Sequence, residues 1–259
     1  MKKEISLEER KIIQLKMLEE IHSFCEMNGI RYSIAYGTLL GAVRHDGFIP
    51  WDDDVDIMMP LPDMMEFKNK FKSKTLKYCD IDTEAHFEYP FSRISYKPTY
   101  RKEGLISKSY GVNIDLYPIV GLPDSIEERN RYFETASVLN EVRLKYMKWR
   151  RRIIRRFPLS AFPGHDRSIK KVRDFELFET VEYGSSNWYY IDAGPISEKD
   201  ECIFPYDLFE NTVLLPFENL LLRAVSCYDT FLKVSYGNYM QLPPEEDRHP
   251  YHGGEYYWR

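Results

Sequence analysis

The amino-acid sequence predicts an α+β (mixed α/β) fold, in which a small mixed sheet is flanked by helices. Helix-type and strand-type hydrophobic patterns both occur, and they follow one another without strict alternation. The chain has 259 residues, of which 43% are hydrophobic and 30% are charged, as in a folded globular protein. This length fits one large domain or a domain with an appendage.

The first 71 residues carry the signals of three helices and two strands. A capping box at Ser6 and apolar residues at three- and four-residue steps predict a helix that ends at Asn28-Gly29. A short strand is predicted over 31–36, and Thr38 is predicted to cap the helical turn that follows. Residues 55–59 form an apolar run typical of a buried strand, and prolines then start a helix over 63–71.

The middle of the chain is predicted to contain strands near 76–83, 91–96 and 112–117, each rich in β-branched or aromatic residues. A second capping-box pattern predicts a long helix over 125–156. Proline and glycine residues then separate it from a helix over 168–182.

The last part contains fewer signals. Strand-like segments are predicted around 188–192 and 212–222, and Ser226 is predicted to cap a helix that stops at Tyr236-Gly237. The tail is rich in Pro, His and Tyr, and its pattern predicts no element.

Composition and charge exclude several classes of protein. No segment reaches the roughly 18–20 consecutive apolar residues of a membrane span, and the polar N-terminus lacks the apolar core of a signal peptide. Cys25, Cys79, Cys202 and Cys227 are scattered, so we expect reduced thiols in a cytoplasmic protein and no cysteine-based zinc site. The formal net charge of −5 disfavours nucleic-acid binding.

Residues 36–57 carry the clearest chemical pattern. Asp54 and Asp56 alternate with apolar residues, so a strand would place both carboxylates on one face. Neighbouring buried carboxylates repel each other unless a cation lies between them. Oxygen ligands at this spacing suit Mg²⁺ or Mn²⁺. A solvated acidic loop or a helix N-terminus is the alternative interpretation, and the apolar neighbours fit it poorly.

The start of the same segment suggests a phosphate site. Gly37 and Thr38 end a strand and open a helix, where free backbone N–H groups favour a phosphate oxygen. Arg44 near the end of that helix could pair with a phosphate. Taken alone, an ordinary strand–helix turn and a surface arginine explain these residues as well.

These motifs together resemble a known family. The run YGTLLGAVRHDGFIPWDDDVDI over 36–57 resembles the hallmark of the LicD family and, more broadly, the signature of the nucleotidyltransferase superfamily. Further similarity lies at 90–94 with Thr99, at 112–118 and at 236–249. Members of this family, like the fukutin-type ribitol-phosphate transferases that share the pattern, move phosphocholine or a related phospho-alcohol from a CDP carrier to a glycan.

The resemblance implies a nucleotidyltransferase-like (DNA polymerase β-like) organisation. Residues 1–259 would form a single catalytic domain, with its core at 29–120. A helical insertion with a basic helix would occupy 124–185, and a C-terminal extension would occupy 186–259.

The resemblance also implies roles for individual residues. Asp54, Asp56 and Asp115 would hold Mg²⁺ (or Mn²⁺) as the catalytic carboxylates, and Asp115 would accept the proton of the acceptor hydroxyl. Asp53 occupies a variable position in the family and is expected to be solvated. The implied substrate-binding residues are Gly37, Thr38, Arg44, Trp51, Asp52, Arg93, Arg248 and His249. For Trp51, packing of the loop is the favoured alternative.

The implied partners are a CDP-alcohol donor such as CDP-choline and a glycan or lipid-linked oligosaccharide acceptor, with CMP as the product. A nucleotidyltransferase that releases pyrophosphate and a non-catalytic nucleotide- or glycan-binding module remain alternatives. The run 145–156 holds seven basic residues in twelve and predicts a basic amphipathic helix. Such a helix could touch the inner membrane face, and a solvated helix face is an equally good interpretation.

Overall fold

The computed structural model describes residues 3–84, 87–103, 106–108, 110–153, 163–191, 203–205, 207–250 and 254–259. Two compact units are present. Unit 1 comprises 1–78, 93–117 and 208–259, and unit 2 comprises 79–92 and 118–207. Both contain helices and strands, which confirms the predicted mixed α/β class.

The described helices are α1 (Leu7–Asn28), α2 (Tyr36–His45), α3 (Leu61–Lys70), α4 (Ile126–Ile153), α5 (Pro163–Phe178) and α6 (Tyr228–Tyr236). The described strands are β1 (Ser33–Ile34), β2 (Asp56–Pro60), β3 (Leu76–Cys79), β4 (Ser92–Tyr96), β5 (Thr99–Glu103), β6 (Ile106–Ser107), β7 (Asn113–Leu122), β8 (Trp188–Ile191), β9 (Ile203–Phe204), β10 (Thr212–Phe217), β11 (Leu220–Val225) and β12 (Glu255–Trp258). No described helix is long and apolar enough to cross a membrane.

The main sheet of unit 1 has the strand order β1-β2-β7-β4-β3, to which β7 contributes its first half. Every residue of β2 and β7 is buried, which explains their near-continuous apolar sequences. Strands β1 and β2 pair antiparallel, with Ile34 opposite Ile57. Two smaller sheets, β12-β5-β6 and the hairpin β10-β11, complete this unit.

Helix α1 has the predicted ends. The Ser6 hydroxyl accepts a hydrogen bond from the Glu9 N–H at 3.1 Å and the Glu9 carboxylate accepts one from the Ser6 N–H at 3.2 Å, which is a complete capping box. Gly29 ends the helix with φ +65°. This left-handed conformation is one that glycine adopts without steric cost.

Several local predictions were wrong. Thr38 is the third residue of α2, whose N-cap Ala35 makes no side-chain hydrogen bond, so Thr38 does not cap the helix. The predicted strand over 212–222 is a hairpin, since Glu218 turns the chain with φ +55°. Helix α6 begins after Cys227 without a side-chain cap, so Ser226 does not cap it.

Unit 2 is built around helices α4 and α5. The rings of Tyr132 and Phe175 stack with their centroids 5.1 Å apart, and Phe133 meets Tyr190 edge-on at 5.3 Å. The second half of β7 pairs antiparallel with β8, with Ile119 opposite Ile191. The predicted long helix is confirmed up to residue 153; positions 154–156 lie outside the described residues.

Candidate active site

The start of α2 lies directly beside the start of β2. The Ala35 N–H donates to the Asp56 carbonyl oxygen at 3.0 Å, and the Asp56 N–H donates to Thr38 Oγ1 at 2.9 Å. Tyr36, between them, has φ +43°, a strained value for a residue with a side chain. Its ring is held by Tyr117 and Phe231, with centroids 5.5 and 5.6 Å away. The Thr38 hydroxyl therefore fixes the backbone that carries Asp56.

The loop between α2 and β2 is held from α1. Lys11 Nζ donates to the carbonyl oxygens of Ile49 and Pro50, both at 2.9 Å. Arg10 Nη1 lies 3.7 Å from Asp53 Oδ2 and 3.5 Å from the Asp53 carbonyl oxygen. Asp53 is only 4% exposed, so the prediction that it is solvated was wrong. The cation of Arg10 compensates its burial.

Three consecutive carboxylates form an acidic cluster at the end of this loop. One carboxylate oxygen from each of Asp52, Asp53 and Asp54 lies within 4.8 Å of the others. Burial raises the pKa of Asp52 above its ordinary value. A Cβ atom on Gly37 would lie 2.6 Å from Asp52 Oδ2. A larger residue at position 37 would therefore displace the Asp52 carboxylate, which occupies the space beside the glycine.

Asp56 is a buried carboxylate with other carboxylates close to it. The Asp115 N–H donates to the Val55 carbonyl oxygen at 2.9 Å, so β7 brings Asp115 beside the start of β2. Burial, reinforced by the charges of Asp54, Asp115 and Asp52, raises the pKa of Asp56 well above its ordinary range. A bound cation would relieve this repulsion, so the carboxylate set is chemically suited to a divalent metal ion.

Asp115 is held by two neighbouring side chains. Arg93 Nε lies 2.7 Å from Asp115 Oδ1, and Arg93 Nη2 donates to Oδ2 at 2.9 Å. Asn113 Nδ2 donates to Oδ1 at 2.5 Å. Arg93, predicted to bind phosphate, thus makes a buried ion pair with a predicted catalytic carboxylate. The pair orients the carboxylate within the sheet.

Two further arginines lie on another side of the site. Arg44 Nη1 donates to the carbonyl oxygens of Tyr239 at 2.7 Å and Gln241 at 3.4 Å. The guanidinium of Arg248 lies over the Trp51 ring, 5.5 Å from its centroid. The positive charge of Arg248 acts on Arg44, whose pKa is lowered by burial and by this neighbour. Trp51 thus packs against the C-terminal segment, by which we mean residues 239–249.

The charges of the carboxylates and of Arg44 both act on Tyr236. Its side chain is partly exposed. Burial, together with the charges of Asp56 and its neighbours, raises the pKa of Tyr236, and the positive charge of Arg44 opposes the shift. Tyr117 donates from its hydroxyl to Asp56 Oδ1 at 3.4 Å. Both tyrosines lie in segments that resemble the family, 112–118 and 236–249, but no role was predicted for either.

The structure brings most of the predicted site residues together in unit 1. One group lies at or beside the neighbouring strands β2 and β7: Gly37, Thr38, Asp52, Asp54, Asp56, Arg93 and Asp115. A second group contacts residues 239–248 or belongs to them: Arg44, Trp51 and Arg248. His249 is exposed.

Several known proteins have sequences similar to that of this chain. The chain is 26% identical to the lipopolysaccharide cholinephosphotransferase LicD of Haemophilus influenzae, over 98% of this chain and 99% of that protein. It is 32% identical to the human ribitol 5-phosphate transferase FKRP, over 36% of this chain and 17% of that protein. The family described as LicD/FKTN/FKRP, nucleotidyltransferase domain, matches residues 29–170. This is more than half of the chain, which therefore belongs to the LicD/FKTN/FKRP family of phosphotransferases.

Proposed function

We propose that this protein transfers a phospho-alcohol, phosphocholine or a related group, from a CDP-alcohol to a hydroxyl of a cell-surface glycan and releases CMP. Family membership and the names of two relatives support a transferase. One observation carries the finer proposal. Carboxylates cluster around Asp56, and the charges of these carboxylates and of Arg44 both act on Tyr236. Such a site suits a diphosphate held between a metal ion and cations.

The proposed metal is Mg²⁺ (or Mn²⁺), held by Asp54, Asp56 and Asp115. When bound, it would neutralise charge on the diphosphate and on the departing CMP. The proposal is supported by the raised pKa of Asp56, which results first from its burial and then from the charges of the neighbouring carboxylates, both of which a bound cation would offset. Asp52 lies close enough to Asp54 to orient it. Asp53 is not a proposed metal ligand, because Arg10 compensates its charge.

The protein side chains have distinct proposed roles. Arg44 and Arg248 bind phosphate oxygens, and the backbone N–H groups of Gly37 and Thr38 donate further hydrogen bonds to them. His249, next to Arg248, contacts the substrate from the same segment. The hydroxyl oxygen of the glycan attacks the β-phosphorus, the bond from this phosphorus to the bridging oxygen breaks, and CMP leaves with that oxygen. The hydroxyl proton passes to Asp115, which Arg93 and Asn113 hold in place. Phosphoryl transfer depends mainly on such alignment and on charge neutralisation.

A nucleotidyltransferase would use the same carboxylates. It would attack the α-phosphorus of a nucleotide and release pyrophosphate, so the product distinguishes the two reactions. We infer that residues 29–120 are the nucleotidyltransferase-like core in either case. The proposed setting is the cytoplasmic side of the membrane, where a lipid-linked oligosaccharide would present its hydroxyl.

The test is release of CMP with Mg²⁺ from CDP-choline, CDP-ethanolamine, CDP-glycerol, CDP-ribitol and CMP-aminoethylphosphonate. Hydrolysis by water substitutes for the unknown acceptor, and Asp54→Asn is the matched blank. We expect CMP from one donor with the natural protein and none with Asp54→Asn. Release of pyrophosphate from a nucleoside triphosphate, without CMP from any donor, would favour the nucleotidyltransferase. Equal rates in the protein and the blank would contradict the carboxylate assignment.

A further inference from the structure

One face of α4 exposes an apolar stripe. Val138, Val142 and Tyr146 follow one another at four-residue steps, which places them on the same side of the helix. They expose 63%, 41% and 40% of their surfaces. The buried residues Phe133 and Ala136 lie on the opposite side, facing the core of unit 2. We call these three exposed residues the outer stripe of α4.

Basic residues are concentrated at the C-terminal end of α4, where the stripe ends. Lys145 and Lys148 are exposed beside it, and residues 145–153 contain three further basic residues, at positions 150, 151 and 152, and no acidic one. The nearest acidic neighbour, Glu141, lies 3.7 Å from Lys145 with both side chains exposed, an arrangement that compensates little charge. The whole chain carries a net charge of −5, so this positive patch is local.

An exposed apolar stripe that is followed along the chain by a run of lysine and arginine residues is typical of a helix that lies in a membrane interface. Its apolar face enters the boundary of the acyl chains, and its cations bind anionic headgroups. A helix that served only as a solvated face would carry polar residues where Val138 and Val142 are exposed.

We propose that the outer stripe of α4 and its basic end, residues 145–153, bind the surface of an anionic phospholipid bilayer. The charge complementarity identifies the partner: a surface dense in negative charge, with an apolar layer directly beneath it. The membrane contact is independent of the proposed reaction, because it concerns what the chain binds and not what it transfers.

The test is co-sedimentation of the full-length protein with vesicles of phosphatidylcholine alone or mixed with phosphatidylglycerol. We expect binding only to the anionic vesicles, and a loss of binding in 0.5 M salt as screening shortens the range of the charges. Lys145→Glu/Lys148→Glu should weaken binding at least about 25-fold, since each basic residue near the surface contributes roughly fivefold. Val138→Ser/Val142→Ser should also weaken it, because the stripe would no longer insert.

The matched control is Lys72→Glu/Lys74→Glu, which changes the net charge equally at two exposed lysines of unit 1. It should bind vesicles like the natural protein. Equal binding by both charge-reversed variants would overturn the proposal, because net charge and not this face would then control binding. A dimer in solution that the Val138→Ser/Val142→Ser variant abolishes, without vesicle binding, would assign the stripe to self-association and overturn it too. Release of CMP by these variants stays at the natural level, so failure here is separable from failure of the proposed reaction.

Discussion

The guanidinium of Arg93 faces the carboxylate of Asp115, with Nε 2.7 Å from Oδ1 and Nη2 2.9 Å from Oδ2. Both side chains are less than 10% exposed. A buried ion pair contributes little net stability, but loss of one partner leaves a buried charge without compensation. The pair therefore couples the fold to the site, since the same arginine that neutralises Asp115 also fixes its position.

The coupling is testable by a double-mutant cycle. Arg93→Met and Asp115→Leu should each lower the free energy of unfolding by about 3–5 kcal/mol, because each leaves the other charge buried alone. The double variant should recover at least about 2 kcal/mol of the summed loss, and it should have no transferase activity. Urea unfolding at pH 7 without Mg²⁺ measures all four proteins. Additive losses would contradict the coupling of the two residues.

Asp56→Asn should separate stability from activity. The natural carboxylate is buried beside Asp54 and Asp115, whereas asparagine has the same shape without the charge and still accepts from Tyr117. We expect the variant without metal to be more stable at pH 7, because it no longer places a charge in this buried position. Turnover should be lost.

The stability of the metal-free protein should depend on pH through Asp56. The pKa of Asp56 is raised above its ordinary value of 3.8, so the folded protein binds this proton more tightly than the unfolded chain. Stability without metal should therefore fall as the pH rises from about 4 through the raised pKa, and this part of the slope should be absent in Asp56→Asn. Thermal unfolding from pH 4 to 8 in EDTA tests it. Saturating Mg²⁺ should raise the melting temperature of the natural protein more than that of the variant.

Gly37→Ala should displace Asp52. The added Cβ would lie 2.6 Å from Asp52 Oδ2, so the carboxylate must move away from the start of α2. We expect a cost of about 1–3 kcal/mol and a loss of activity of at least about tenfold, because small displacements of aligned groups are costly in catalysis. Urea unfolding and release of CMP measure these two effects.

The control is the same substitution in an Asp52→Ala background, where the clash is absent. There Gly37→Ala should cost less than about 0.5 kcal/mol. An equal stability cost in both backgrounds would show that the glycine serves some other need.

The local motif predicted far more of the site than of the fold around it. Asp54, Asp56 and Gly37 lie within 20 residues, where strand alternation and turn chemistry limit the possible arrangements. Thr38 was predicted as a cap because a hydroxyl near a helix start usually serves there, but its partner is the Asp56 N–H, 18 residues away. Burial of Asp53 depends on Arg10, 43 residues away, and no local pattern reports such a pairing.

The same reason explains the missed strands. Strand β12 lies in a segment of the tail for which no element was predicted, and it forms by pairing with β5, with Tyr256 opposite Arg101. The pairing partner is about 150 residues away. The aromatic residues of β12 favour a strand, but the pairing with β5 that fixes it cannot be read from the local sequence.

Arg44 should act as a tether for the C-terminal segment as well as a phosphate ligand. Its guanidinium donates to the carbonyl oxygens of Tyr239 and Gln241, and the same segment continues to Arg248 over Trp51. In Arg44→Ala both carbonyls lose this donor, so amide hydrogen exchange over 239–249 should accelerate at least about tenfold if each bond contributes about 1 kcal/mol to closing the segment. Release of CMP should fall because Arg248 is no longer held in place.

Arg223→Ala is the matched control, since Arg223 pairs with Glu26 on α1. It should leave exchange over 239–249 unchanged. Arg44→Lys keeps the positive charge but lacks the two-pronged donor, so it should retain part of the activity while exchange stays fast. If exchange in Arg44→Ala equals that of the natural protein while activity falls, the arginine binds substrate without holding the segment, because a tether must change the opening of the backbone that it ties down.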